Sequence, residues 1–397
     1  MFYKWLISFL ETLEDVRSPL LGPNLKGLYF FGLWKTGSRT RYIIYNFLHF
    51  STAIFFVTQI IELYLLRCDL DKALSNFSLT TLSAVCLAKC MSCVLNQAGW
   101  SELVENISKE EVQEIKKGSQ STLNEIARYT KYARMITYSY WVLVFMTTLA
   151  LSAAPILKYW TSPTYRENIA LGLEPYPQIL SSWFPFDYVN TPGYYYASAV
   201  QIVISIQGAA VIATFDSTAV TIMTFLKGQL ILLRLKCKQI FESETMADRP
   251  SFMTRIIECH RHHNYMLKQH KMFNSLLSPV MFVYVLVCSL TICCSVVQFT
   301  TEGITNYQKL WIVQYTVGQF FQLLMYCWHA NEVYVESVDV DRGIFASEWW
   351  KADVYLKRQI LLLAGKLDYP LVLNAGPFSS LSVPTFITQK YSTFYTR

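Results

Sequence analysis

The chain has 397 residues, of which 53% are apolar, 15% aromatic and only 16% charged, and its mean hydropathy is +0.26. Soluble domains carry about 25% charge, so this composition excludes a string of ordinary soluble domains and places most of the chain in a bilayer. The net charge of +6 is spread over several segments, which argues for membrane topology rather than nucleic-acid binding.

The opening stretch, MFYKWLISFLETLEDVRSPLLGP, has its apolar run broken by Glu11 and Glu14, and no small-residue cleavage site follows. It is predicted to remain as a short helix in the cytosol or on the membrane surface rather than to act as a signal peptide. No Gly/Ser-rich or Pro-rich linker, repeat or low-complexity tract follows, so residues 1–397 read as a single domain.

Crossing a hydrocarbon core of about 30 Å takes about 20 apolar residues. Six stretches qualify: Tyr42–Leu66, Leu74–Leu95, Ile136–Leu157, Tyr194–Phe215, Leu276–Thr300 and Leu310–Ala330. The closing tail is a candidate seventh. Six Lys/Arg precede the first span, six lie between spans two and three, nine between four and five, and five after span six from Arg342 to Lys366, making 26 of 34 on one side. The opposite loops hold only Arg67, Lys72, Lys158, Arg166 and Lys309. The positive-inside rule therefore puts the N-terminus in the cytoplasm, inverted relative to a G-protein-coupled receptor.

Three inner segments have helical periodicity. The fourth span is predicted to continue to about Phe241, some 70 Å at 1.5 Å per residue. Arg255–Lys271 and Glu348–Leu363 read as further helices of a cytoplasmic bundle.

Site-like strings are few. In ECHRHHNYMLKQH, Cys259, His262 and His263 share a helical face, with His270 two turns on, but no further ligand pattern supports zinc. The segment reads as a packed helix face. Cys90/Cys93 and Cys293/Cys294 fall inside spans, where Cys acts as a small hydrophobe. No metal or other cofactor is expected. Asn76-Phe-Ser78 is a glycosylation sequon on the outer side, and Asn106-Ile-Ser108 falls inside. Glu62 lies near the outer end of span one, and Asp216 at the inner end of span four, where water or the bundle can receive it.

The outer halves of spans two, three, four and six are aromatic and hydroxylated, with no acid or base away from their rims. Phe77 and Thr81, Phe145, Thr148 and Ser152, Tyr195 and Ser198, and Trp311 and Tyr315 are the candidate ligand-binding residues. Such walls suit a small, uncharged, hydrophobic molecule.

Several strings carry a family resemblance. SSWFPFDYVNTPGYYY before span four, DSTAVTIMTFLKGQLILLRLK leaving it and ECHRHHNYMLKQHKMFNSLLSPVMFVYVL into span five resemble the insect odorant receptors. The resemblance is most specific over Asn331–Phe386, at Glu336-Ser337, Trp349 or Trp350, Pro370, Ala375-Gly376 and Thr385-Phe386. Tyr391-Ser392-Thr393-Phe394 is similar to the family's closing motif, set about one turn early. The closing Thr-Tyr-x5-Gln-Phe motif of the related gustatory receptors is absent.

The resemblance implies an all-α membrane protein of seven transmembrane helices, with the N-terminus cytoplasmic, the C-terminus extracellular and a cytoplasmic helical anchor bundle. It divides the chain into a cytoplasmic N-terminus (1–41), six helices forming the ligand-binding bundle (42–330), an anchor region (331–375) and a pore-lining seventh helix (376–397). It further implies a cation channel, not an enzyme, opened by a volatile odorant bound among helices two to six. The channel would assemble as a heterotetramer with the co-receptor Orco, in the plasma membrane of olfactory neuron dendrites, and would pass monovalent and divalent cations. The competing readings are a gustatory receptor channel, a G-protein-coupled receptor and a multi-pass enzyme or transporter.

The tail fits such a pore. On a helical wheel Thr385, Thr388, Gln389, Ser392 and Thr396 fall within an arc of about 100°, with Val383, Ile387 and Phe394 opposite. A hydroxyl stripe of this kind faces water rather than lipid.

Overall fold

The computed structural model describes residues 11–34, 38–171, 176–241, 249–300, 306–377 and 379–384, with side chains except at 71, 154, 156, 158, 249, 306–308 and 311. A short inner helix, α1 (Gly22–Phe30), precedes α2 (Arg39–Leu65), α3 (Leu70–Leu95), α4 (Gln97–Lys117) and α5 (Gln120–Thr161). After α6 (Pro163–Ala170) come three long helices, α7 (Gly193–Lys238), α8 (Arg249–Thr300) and α9 (Asn306–Val338). The turn α10 (Arg342–Phe345) and α11 (Val354–Leu367) lead to a two-residue strand pair, β1 (Asn374–Ala375) with β2 (Ser379–Ser380).

Five of the described helices, α2, α3, α5, α7 and α8, are long and apolar enough to cross a bilayer. The expected sixth span is present as α9, yet it falls short of that apolarity because it carries Gln314, Gln319, Gln322 and His329. Three of these, Gln319, Gln322 and His329, are buried, so this helix turns its polar side to protein rather than to lipid. The extension of the fourth span is as expected: α7 runs 46 residues, about 70 Å. Arg255–Lys271 is helical too, but as the continuous inner half of the 52-residue α8. The helix expected from Glu348 instead begins at Val354, where the Asp353 carboxylate caps the Leu356 N–H at 3.0 Å; residues Trp349–Lys351 form a separate 3-10 turn.

The bundle centres on α7, which packs against α5, α9 and α8, while α3 packs against α8 and α2. On the Lys/Arg-rich side, α1 is pinned to α7 by Asn24, whose Nδ2 donates to Ser217 O (3.1 Å) and Thr221 Oγ1 (2.7 Å). The amphipathic α4 buries Trp100, Leu103, Val104, Ile107 and Glu111 at helical spacing. Ion pairs tie the long helices together there: Lys227 to Glu332 (2.6 Å), Arg234 to Glu336 (2.9 Å) and Lys236 to Glu114 (2.6 Å).

His262 is buried in this inner packing, with Nε2 2.9 Å from Gln229 Oε1. The Ala375-Gly376 motif has a physical reason. Gly376 sits at φ +71°, and a Cβ there would lie 2.6 Å from the Phe282 ring. Its N–H donates to Ser278 on α8, seating the chain against that helix just before residue 385.

Candidate functional site

A cavity of about 220 Å³ opens between α2, α3, α5, α7 and α9, in the half of the bundle away from the basic side. It is smaller than the roughly 300–1,000 Å³ typical of drug-sized ligand sites. The space exists because glycines and small residues meet there. Gly208 and Ala209 of α7 and Gly318 of α9 all line it, and a Cβ built on Gly318 meets nothing within 4 Å outside its own helix backbone.

Helical period decides which residues reach the wall. On α5 these are Tyr140, Leu143, Val144, Thr147, Thr148 and Leu151, on α3 Leu79, Leu82, Ser83 and Cys86, and on α9 Gln314, Tyr315, Gly318, Gln319, Phe321 and Gln322. Two of the sequence candidates, Thr148 and Tyr315, are brought together here. Thr81 stands directly behind Tyr315. The Tyr315 hydroxyl donates to Ser78 O at 2.8 Å, and Thr81 Oγ1 meets Thr291 Oγ1 of α8 at 3.1 Å. Phe145 and Tyr195 are each 65% exposed, on outer helix faces away from the wall. Phe77, Ser152 and Ser198 are half-buried and outside the wall. Trp311 lies outside the described side chains, and Thr385, Thr388, Gln389, Ser392 and Thr396 lie outside the described residues.

The enclosing helices differ from those the resemblance implied. The first span contributes Thr52 and Phe55 to the wall, whereas α8 supplies no wall residue and backs the site through Thr291 and Tyr284. Tyr284 donates its hydroxyl to Gln319 O at 3.1 Å.

The segment 179–184 covers the outer end. Gln201 Oε1 accepts the N–H groups of Ile179 (3.0 Å) and Leu180 (3.3 Å), Asn76 Nδ2 donates to Ser181 O (3.0 Å), and the Trp183 N–H reaches Thr58 O (3.3 Å). Leu180 thereby becomes part of the wall. Asn76, the sequon asparagine, is 1% exposed and already bonded, which leaves no room for a glycan.

Beneath the cavity lies an ion pair that local sequence did not reveal. Lys89 Nζ of α3 and Asp216 Oδ1 of α7 are 2.6 Å apart, and both side chains are 0% exposed. Tyr140 (2.7 Å), Tyr326 (2.6 Å) and the Gln322 amide also donate to the Asp216 carboxylate, and the Tyr284 ring lies 5.3 Å from the ammonium. A buried carboxylate persists when its charge is paired and its lone pairs are filled. Tyr140 and Gln322 line the cavity, so its floor is built on this cluster. The signal in the sequence was Lys89, a lone cation in the middle of an apolar span.

Comparison with known proteins agrees with this architecture. The family model described as 7tm Odorant receptor matches residues 69–390. Odorant receptor Or2 of Anopheles gambiae is 20% identical over 374 residues, covering 93% of each chain, and Odorant receptor 10 of Aedes albopictus is 24% identical over 270 residues, covering 67% of this chain and 68% of that one. Among solved structures, the insect olfactory receptor OR5 of Machilis hrabei in complex with eugenol superposes with a TM-score of 0.78 at 14% identity, over 96% of this chain and 97% of that one.

Proposed function

Because the chain belongs to the 7tm odorant receptor family, we propose that it is the odorant-binding subunit of a ligand-gated, non-selective cation channel. The observation that carries this reading is the small cavity, whose described wall has no charged side chain. It suits a neutral, hydrophobic volatile. The relative from Machilis hrabei, solved with eugenol, has the same fold.

In this reading the subunit assembles with the co-receptor Orco into a heterotetramer in the plasma membrane of an olfactory neuron. The expected start of the seventh helix at 376 is taken up by the turn and strand β2 (Ser379–Ser380), so the pore-lining helix follows β2, and Thr385, Thr388, Gln389, Ser392 and Thr396 face the cations. Ligand in the cavity contacts α9 directly at Tyr315 and Gln319. Through Tyr284 and Thr291 it bears on α8, against which the chain leading to residue 385 is seated. Ligand opens the channel to the extent that it binds the open arrangement more tightly than the closed one.

Gly318 provides the test. Gly318→Leu fills the cavity without meeting a neighbour at Cβ, so odorant-evoked current in cells co-expressing Orco should disappear while surface expression stays normal. Gly318→Ala, which adds helix propensity worth about 1 kcal/mol, should retain a response. Full odorant sensitivity in Gly318→Leu would reject this cavity as the site. Truncation after Phe386 should abolish current with any agonist, and persisting conduction would reject the pore assignment.

A further inference from the structure

We infer that the cavity takes a hydrogen-bond-donating ligand, an alcohol or phenol, in preference to the aldehyde, ketone or ether of the same skeleton. This rests on the cavity being the odorant site and deepens that reading.

The hydroxyl and thiol donors of the wall are already committed. Five of its hydroxyl groups donate back to a carbonyl of their own helix: Thr52 to Leu48, Ser83 to Leu79, Thr147 and Thr148 to Val144, and Ser205 to Gln201. This back-bonding holds each hydrogen and leaves only lone pairs toward the cavity. The Cys86 thiol donates to Gly208 O across to α7, the Tyr140 hydroxyl to Asp216 and the Tyr315 hydroxyl to Ser78 O.

Gln319 completes the pattern. Tyr315 has one hydroxyl hydrogen, and a carbonyl holds it, so Tyr315 can only accept from Gln319. That fixes Gln319 with Nε2 toward the tyrosine oxygen (3.3 Å) and Oε1 turned elsewhere. Gln319 lines the cavity, and its Oε1 is buried without a hydrogen-bond partner. One amide hydrogen of Gln322 is likewise committed to Asp216. What remains on the donor side is the second amide hydrogen of each of these glutamines and the amide of Gln314, which is exposed.

A ligand hydroxyl therefore meets a wall of acceptors and can fill the vacant valence of Gln319. A carbonyl or ether oxygen meets mostly other oxygens and has only the leftover glutamine amide hydrogens to accept from, and a site whose acceptor is left unpaired discriminates against the analogue that lacks the donor. An ammonium is disfavoured because the described wall holds no carboxylate. Asp216 lies behind Tyr140 and Gln322 and is neutralised by Lys89.

The experiment measures concentration–response curves for matched sets on the full chain co-expressed with Orco: octanol against octanal, benzyl alcohol against benzaldehyde, menthol against menthone, and para-cresol against its methyl ether. In every skeleton that acts, the hydroxyl member should be at least about tenfold more potent, the factor that one net hydrogen bond supplies. Gln319→Leu should bring that ratio toward one. A carbonyl or ether member equal to or better than its alcohol in the unaltered protein overturns the inference, whatever the variant does. Thermal stabilisation of the purified full chain by the same compounds separates the two readings. Stabilisation by the hydroxyl members without current rejects the channel and keeps the ligand class. Neither stabilisation nor current with any member rejects the cavity as the ligand site, and the inference with it.

Discussion

The two ends of α7 are packed differently. From Gly193 to Ile212 its buried positions are intermittent, and one face is given over to the cavity. From Ala213 to Leu226 every residue is buried, surrounded by α1, α5, α8 and α9. A helix enclosed on all sides is fixed by close packing, whereas one with a half-empty flank tolerates changes in what fills it. One rod thus serves a rigid inner core and an adaptable outer site. The Lys89–Asp216 cluster sits at the boundary between them.

The sharpest way to break this comparison is at that boundary. Lys89→Met or Asp216→Asn alone should cost about 3–5 kcal/mol, because each strands a buried partner. Thermal unfolding in detergent should show both single variants far below the parent, with Lys89→Gln/Asp216→Asn recovering much of the loss. Equal losses from Thr148→Val on the cavity wall would erase the distinction between the two ends.

The inner core also carries a titrating group outside the spans. Glu111 on α4 has its carboxyl pushed up to about 7, chiefly by burial, against the opposing help of the Leu20 N–H and the nearby Arg134 charge. The unfolded carboxyl titrates near 4.5, so the folded state holds its proton longer. This contribution is fully present below pH 4.5 and is lost as pH rises to about 7, on the order of 3 kcal/mol. Glu111→Gln should flatten the unfolding temperature across that window. An unchanged pH profile would show that the group is less enclosed than its packing indicates.

A smaller and local effect is expected at the outer cap. Gln201→Leu leaves the Ile179 and Leu180 N–H groups without their acceptor, worth about 1–3 kcal/mol. Hydrogen exchange should speed up over 179–184 and stay unchanged over 213–226. Spread of the effect into the inner half would mean that the two regions are not independent.

The smallest effect separates two aromatic candidates. Phe145→Ala, on an outward face, should change stability by no more than about 0.5 kcal/mol and leave odorant sensitivity alone. Tyr315→Phe removes a hydrogen bond at the wall and should shift sensitivity. The reverse ranking would move the site off the cavity.

Much of the architecture was legible in the residues. Runs of about 20 apolar residues located five spans, and the absence of breakers after Phe215 foretold the length of α7. The sixth span was found as a helix but read as more apolar than it is, since an apolar window cannot tell which side of a helix its glutamines take. The cavity wall was partly legible. Thr148 and Tyr315 reach the wall, while Phe145 has the right composition and depth on the wrong face of the same helix.

What the sequence by itself determined is therefore periodic and additive: how much chain is apolar, where helices run, which ends carry the positive charge, and the family pattern of 331–386. What only the tertiary structure decided depends on residues far apart in the chain. Lys89 finds Asp216 across the bundle, Asn76 becomes a buried strut rather than a glycan site, and a cavity appears among helices that contribute Gly208 and Gly318 to its wall. Local propensity depends on near neighbours, but a cavity is the absence of side chains from several helices at once, and no single stretch of sequence contains it.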